Sequence, residues 1–390
     1  MVGGGSGIGM IPIDDVIGGM LVLLSVVAMG LTLAAAVTIA PASRPLPPRK
    51  RAGTPVTLLK PLCFAEPGLE DNLRSFFRQD YDAPVQIVFG AKSSDDPALR
   101  VVEKLRRAYP AANVDVVTDP KMCAANPKVA NLINMIARAK HEVLIMSDSD
   151  IRVRSDYLRH VVAAMDDPEV GAVSCLYSGK SGAGLWSKLA AMGIDYHFLP
   201  NARLGIALGL TEPCFGSTIA FRRRTLEEIG GFESLSNVLA DDYELGRAIR
   251  GKGYRVSIPV SIVVEHVCSH KSARALLRQE LRWAKTNLLL AKSGYAGTLL
   301  TYPLPLAFFG ALFLGFSPLS LMAIVAALAS RLYLMFQCGG SLGLRREHVW
   351  LLPLRDMLSF GVFMASFFGK TVVWRGTRYL AGPDGALAQL

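Results

Sequence analysis

From Val16 to Ala40 the chain carries no charged side chain, and this stretch restricts the fold more than any other. A helix over these residues is long enough to cross a bilayer core of about 30 Å while satisfying its own backbone groups. Prolines and bases follow at once, among them Arg44, Arg49, Lys50 and Arg51. A cleaved signal peptide carries its positive charges ahead of the apolar run, whereas here they lie behind it. The pattern predicts an uncleaved anchor over 16–40 with its amino end outside, a basic linker over 41–53, and the next domain in the cytoplasm. Residues 1–15 include a Gly-rich stretch that neither follows a strand nor matches the dinucleotide-binding spacing, so they are read as a flexible tail.

One anchor does not account for the composition. In 390 residues, 51% are hydrophobic and the mean hydropathy is +0.33, which is too apolar for an ordinary soluble enzyme. The remainder lies in three carboxy-terminal runs, 299–316, 319–336 and 349–373. The first two predict a spanning hairpin broken at Ser317-Pro318. The third carries Arg355 and Asp356 and has bases on both flanks, so it is expected to lie in the interface or re-enter. Residues 294–376 are thus assigned to membrane and interfacial segments, and 377–390 to a tail.

The formal net charge is +10, with bases (Arg345, Arg346, Lys370, Arg375, Arg378) grouped beside apolar segments rather than along one aromatic-lined stripe. That distribution suits anionic lipid and argues against a nucleic-acid partner. The six cysteines (Cys63, Cys123, Cys175, Cys214, Cys268, Cys338) show no C-x-x-C spacing. A zinc cluster and a secreted disulfide framework are disfavoured, and a reducing compartment is the simpler reading.

Between residues 54 and 293 the composition is that of a soluble α/β domain. Strands are expected at 56–62, 85–91, 114–117, 143–146 and 170–176, alternating with helices at 67–77, 97–109, 128–139 and 155–165 that open near Pro or Ser. Such alternation predicts a mainly parallel, Rossmann-like sheet with helices on both faces.

Four polar features in this domain carry the chemistry. The run Glu142 to Ser147 leads into Asp148-Ser149-Asp150 at the carboxyl edge of the sheet, where open α/β sheets bind ligands. Residues two apart in a strand point the same way, so Asp148 and Asp150 can aim at one Mg2+ or Mn2+, cations that favour oxygen ligands. Asp95-Asp96-Pro97 follows another strand; its acids can bond a ribose or uracil, or cap the helix at Pro97. Asp241-Asp242 enters a helix at Tyr243, either complementing the helix dipole or, for Asp242, acting as general base toward an attacking hydroxyl. Finally, Gln279, Arg282 and Trp283 share one helix face, where an arginine can hold a pyrophosphate and an indole can stack or donate. An amphipathic interfacial helix would also use Arg and Trp there.

In this order, with an amino-terminal anchor and carboxy-terminal apolar segments, the motifs resemble the family 2 type membrane glycosyltransferases of the D, D, D, Q-x-x-R-W pattern. The closer resemblance is to the ceramide glucosyltransferase family, glycosyltransferase family 21, and its bacterial branch associated with hopanoid biosynthesis. It is carried by Leu59-Lys60-Pro61-Leu62, Asn126-Pro127-Lys128, Asn131 to Asn134, Asp148 to Val153, Ser174 to Tyr177, His197 to Pro200, Cys214-Phe215-Gly216 and Ala240 to Tyr243. The resemblance implies a GT-A fold over 54–293, Mg2+ or Mn2+, a UDP-sugar donor (UDP-GlcNAc or UDP-glucose) and transfer with inversion. The acceptor would be a membrane lipid, a hopanoid polyol or a ceramide, met at the cytoplasmic face of a bacterial inner membrane.

Carried over by position, Asp95 or Asp96 would lie near the nucleoside and Asp148 and Asp150 near the metal and diphosphate. Asp242 would be the base, with Gln279, Arg282 and Trp283 over the substrates. Family members often carry an acid where this chain has Ser93, which leaves the choice between Asp95 and Asp96 open. Near the same edge, Lys60 and Lys128 are candidate phosphate or uracil contacts, His266 a third metal ligand or a hydrogen-bonded loop residue, and Cys214, Phe215 and Gly216 an acceptor-pocket lining.

Overall fold

The computed structural model describes residues 12–39, 53–121, 123–344 and 348–369, and the backbone of 371–374, 377–381 and 387–389. The tail up to residue 11, nearly all of the basic linker, and Arg345, Arg346, Lys370 and Arg375 lie outside the described residues.

In chain order, helix α1 (Ile13–Ile39) precedes β1 (Val56–Pro61), α2 (Leu69–Phe77), β2 (Val85–Ala91), α3 (Pro97–Ala108), β3 (Asn113–Thr118), α4 (Pro127–Ile136) and β4 (Val143–Ser147). Then come β5 (Ile151–Arg152), α5 (Tyr157–Ala163), β6 (Val170–Ser174), β7 (Leu176–Ser181), α6 (Leu185–Gly193), a π-helical turn (Ile194–Phe198), α7 (Leu199–Ala207) and β8 (Thr218–Arg222). The domain closes with α8 (Arg223–Glu228), α9 (Asp241–Gly251), β9 (Arg255–Ser257), β10 (Val263–Cys268) and α10 (Ala273–Leu290). After it follow α11 (Lys292–Gly297), α12 (Pro303–Phe313), α13 (Pro318–Leu342), α14 (Leu352–Ser366), β11 (Thr371–Trp374), β12 (Thr377–Ala381) and β13 (Leu387–Gln389).

Local chemistry sets several boundaries. Asp96 caps α3 by accepting from the Ala98 amide, Asn126 caps α4, and each helix has proline in its first turn. Proline suits that position because its missing N–H would have no partner there.

Seven strands form the main sheet in the order β3-β2-β1-β4-β8-β6-β9. Strands β1 to β4 run parallel, while β8 is antiparallel to both of its neighbours. Alternate residues feed two cores: Leu58, Ile87 and Ile145 pack on one side, and Leu59, Val88, Leu144 and Met146 on the other. That alternation is why these strands read as continuous apolar runs. A second sheet, β5-β10-β7, joins the turn after β4 to the strand bearing His266.

A third cluster ties the domain to the membrane segments. Ala35, Ala36 and Ile39 of α1 meet Leu189 to Met192 of α6, and Leu334, Met335 and Cys338 of α13. Three described helical spans, Ile13–Ile39, Pro318–Leu342 and Val349–Ser366, are long and apolar enough to cross a bilayer. The run from Lys292 to Phe313 qualifies only as a pair bent by 72°; α12, with 11 residues, reaches only about 16 Å at ~1.5 Å per residue.

The carboxy-terminal expectation therefore changes in two places. Within the third apolar run, Val349–Ser366 is long and apolar enough to cross a bilayer, and its charged residues Arg355 and Asp356, 4% and 3% exposed, turn inward. Asp356 accepts from Arg331 Nε and Nη2 at 2.7 and 2.8 Å. The same run is also two elements rather than one. Helix α14 ends at Ser366, Gly369 takes a positive φ of 77°, and the β-branched Thr371-Val372-Val373 starts a strand. The stretch assigned to a tail contributes the strands paired with it.

Candidate active site

Strand β4 ends at Ser147, and the chain turns at once: the Ile151 amide donates to the Asp148 carbonyl at 3.3 Å. The two acids therefore do not share one strand face. Asp148 Oδ1 meets Lys128 Nζ at 2.9 Å. Asp150 faces the β5–β10 ladder instead, where His266 pairs with Ile151 and the imidazole Nδ1 stands 3.7 Å from Asp150 Oδ1. The pleat argument applies only while the strand continues, and it stops one residue too early.

Lys60 lies beneath this turn rather than on a ligand-facing surface. Fully buried, it donates to the Asp148 carbonyl at 2.5 Å and to Ser147 Oγ at 3.2 Å, over the ring of Phe76. Burial pushes its ammonium down to about 7, against the opposing pull of Asp148 and Asp150. Its expected contact with a phosphate or uracil is replaced by support of the loop from below.

Helix α9 begins at the paired acids. Lys128 also bonds Asp241 Oδ2 at 3.3 Å and the Gly216 carbonyl at 3.4 Å, so one ammonium joins Asp148, Asp241 and the β8 approach. Burial works against that charge, but Asp148, Asp241 and Asp242 outweigh it and raise the pKa above the ordinary lysine value. Asp242 accepts from the Tyr243 amide at 2.8 Å. Its pKa is pushed up to about 6, first by burial and then by Asp241, with Lys128 opposing. A carboxyl of that pKa is ionised at neutral pH yet basic enough to take a proton.

Gly216 is required here by close approach. A Cβ on it would lie 2.6 Å from Asp242 Oδ2. Of its neighbours, Cys214 is 5% exposed and packs in the core against Gly246. Phe215 joins an aromatic group with Phe198 and Tyr177, ring centroids 5.4 and 6.3 Å away.

That group extends to the α10 motif. Tyr177 lies 5.7 Å from His266, which meets Trp283 edge-on at 5.9 Å. Burial, and then the charges of Asp242, Asp150 and Asp148, hold the pKa of the Tyr177 hydroxyl above the ordinary phenol range. Gln279 is held by His270, Oε1 to Nε2 at 3.0 Å, and Arg282 is half-buried on the same helix. A cavity of about 340 Å³ runs along this side, lined by Asp150, His266, His270 and Gln279 among others.

Asp95 and Asp96 separate in role. Both oxygens of Asp96 receive the Phe64 amide, at 3.2 and 3.1 Å, while one also caps α3. Asp95 remains exposed at the carboxyl end of β2, on the same sheet edge as Asp148. Asp241 and Tyr177 carry no role in the sequence reading, although both stand inside its quoted motifs.

Among the described residues no three His, Cys, Asp or Glu side chains are grouped closely enough to hold a metal ion, so Asp148, Asp150 and His266 do not form a closed set. Asp150 Oδ1 is nevertheless buried without a hydrogen-bond partner beside His266. An oxygen donor left open in this way fits an ion that keeps several waters and takes its other ligands from phosphates.

A model described as Glycosyl transferase family 21 matches residues 20–387. Ceramide glucosyltransferase 3 of Caenorhabditis elegans is 25% identical over 337 residues, covering 82% of this chain and 71% of that protein. Ceramide glucosyltransferase of Komagataella phaffii is 32% identical over 126 residues, or 31% of this chain and 24% of that protein. Among solved structures, mannosyltransferase PcManGT from Pyrobaculum calidifontis, in complex with GDP-Man and Mn2+, aligns with a TM-score of 0.52 at 21% identity. That alignment covers 90% of this chain and 99% of the other, and shows a shared fold. The acids at the sheet edge, the α10 motif and the flanking membrane helices therefore stand in one matched unit, and the chain belongs to glycosyltransferase family 21.

Proposed function

We propose that the protein moves one sugar from a UDP-sugar to a hydroxyl of a membrane lipid, with inversion at the anomeric carbon. The observation that carries this reading is that Lys128 joins Asp148 to Asp241, the residue before Asp242, while His266, beside Asp150, meets Trp283 of α10 on one side and Tyr177 on the other. In this reading Asp242 supplies a base, Lys128 a cationic group and the α10 side an aromatic wall.

In this mechanism Asp242 takes the proton of the lipid alcohol as its oxygen attacks the sugar from the face opposite the leaving diphosphate. Lys128, already among carboxylates, turns toward the diphosphate and offsets the charge that develops there. Arg282 adds charge-assisted bonds to the same group. Trp283 and the Tyr177–Phe198–Phe215 group shield the reacting carbon from water. A divalent ion, Mg2+ or Mn2+, would be held by Asp150, whose open Oδ1 stands beside His266, and would neutralise the diphosphate when bound.

The two substrates differ in solubility, which supports a site at the cytoplasmic interface: UDP-GlcNAc or UDP-glucose comes from water, and a hopanoid polyol or ceramide from the inner leaflet. The bases following the anchor orient the domain inward by the positive-inside rule, here in a bacterial inner membrane. Relatives named as ceramide glucosyltransferases support the lipid acceptor.

The test is UDP release with each donor and lipid in the presence of Mg2+ or Mn2+, comparing wild type with Asp242→Asn. Lipid-dependent release that the variant loses is expected. Undiminished release by Asp242→Asn removes the base assignment, and release of inorganic phosphate instead of UDP would point to a phosphohydrolase.

A further inference from the structure

Glu280 belongs to the Gln279-to-Trp283 motif but not to its site-facing side. One residue on from Gln279, it is rotated by about 100° around the helix. There it meets α14: Arg355 Nη1 donates to Glu280 Oε1 at 2.7 Å and Nη2 to Oε2 at 2.9 Å, a two-pronged pair. The side chains are 5% and 13% exposed, so the pair is largely out of water. Arg355 also donates to the Leu189 carbonyl midway along α6 at 3.1 Å and to Ser359 Oγ at 3.0 Å. The fit is tight, since a Cβ on Gly193 would lie 2.7 Å from the guanidinium carbon.

The next residue extends the linkage. Asp356 binds Arg331 of α13 through both oxygens, so α14 is fixed to another apolar helix on one side and to α10 on the other. Two adjacent charged residues within an apolar run, each paired in a buried fork, are costly to desolvate and strongly destabilising to break singly. Their arrangement connects the membrane segments to the helix that carries Gln279, Arg282 and Trp283.

The geometry points to Arg355 as a positioning residue for the transfer reaction: through Glu280 it sets the rotation and depth of α10, and so the placement of Arg282 and Trp283 over the substrates. This rests on the glycosyl-transfer reading above. The membrane segments then complete the catalytic geometry in addition to anchoring it. Arginine is suited to the task because its planar fork fixes direction as well as charge, which a lysine does not.

The experiment uses the full chain in lipid nanodiscs and compares wild type with Arg355→Met, Arg355→Lys, Glu280→Gln, the Arg355→Met/Glu280→Gln double variant and Gly193→Ala. Acrylamide quenching of Trp283, isolated by subtracting a Trp283→Phe background, reads the pose of α10 without needing turnover. The expectation is at least twofold stronger quenching in Arg355→Met and Glu280→Gln, with kcat reduced by about a hundredfold as for a small misplacement of a reacting group. The double variant should be no worse than either single one, and Arg355→Lys should not restore kcat.

A purely stabilising role would lower the melting temperature while leaving quenching and kcat of the folded protein unchanged, and that result overturns the inference. Losses that multiply in the double variant also overturn it. If Arg355→Met does not fold, Glu280→Gln and Gly193→Ala decide by the same two readings. Absence of turnover in wild type with every donor and lipid would instead defeat the proposed function, while quenching still decides whether Arg355 sets the pose of α10.

Discussion

Replacing Lys128 by Met removes the charge that opposes Asp241 and burial in setting the pKa of Asp242, now about 6. At that value about nine-tenths of the carboxyl is ionised at pH 7. Lys128 lowers this pKa, and a neighbouring opposite charge holds a carboxyl down by about 1 to 3 units, so in Lys128→Met the midpoint should rise to roughly 7 to 9. The ionised fraction at pH 7 then falls to between about one half and one hundredth. Asp241→Asn acts with the opposite sign, because it removes a negative charge that raises the pKa, and the midpoint should fall below about 6.

The assay is the pH dependence of kcat/KM for the nucleotide sugar, which reports the free enzyme. The position of the acid limb is the reading, since Lys128→Met also loses a diphosphate contact and lowers activity at every pH. Lys128→Met should move the limb alkaline and Asp241→Asn acid. If both limbs stay in place, or both move the same way, Asp242 is not the titrating base and the electrostatic reasoning fails.

Other substitutions test the rest of the site. Gly216→Ala places a methyl where Asp242 Oδ2 now lies 2.6 Å away, and should cut kcat by about 10²-fold with donor affinity kept; an unchanged kcat would show that the carboxylate position is not critical. Asp96→Ala should lower stability by about 0.5 to 2 kcal/mol in thermal unfolding through loss of the α3 cap, leaving donor KM unaltered, whereas Asp95→Ala should raise donor KM without a stability loss. Asp150→Asn should weaken Mn2+ binding by about 10-fold or more in direct titration with the bound nucleotide; equal binding would remove Asp150 from the ligand set.

Much of the domain is legible because its signals are local. Asp96-Pro97 and Asn126-Pro127 mark helix starts that the structure keeps. The apolar runs at Val56, Val85 and Val143 become β1, β2 and β4 because strands buried on both faces need no polar alternation. The carboxy-terminal segments are less legible: Arg355 and Asp356 suggest an interfacial run when counted alone, whereas in the fold both turn inward to buried partners.

Side-chain direction is the property that sequence alone left undecided. Asp148 and Asp150 are two apart, yet they diverge because β5 pairs with a strand more than a hundred residues later. Lys128 gathers acids from the turn after β4 and from α9, and Glu280 reaches an arginine 75 residues away. Periodicity and composition determined the elements, the anchor and the motif order, since these depend on neighbours along the chain. Which charges face one another was decided by tertiary packing, because electrostatic pairing depends on distance in space and carries no signature in sequence spacing.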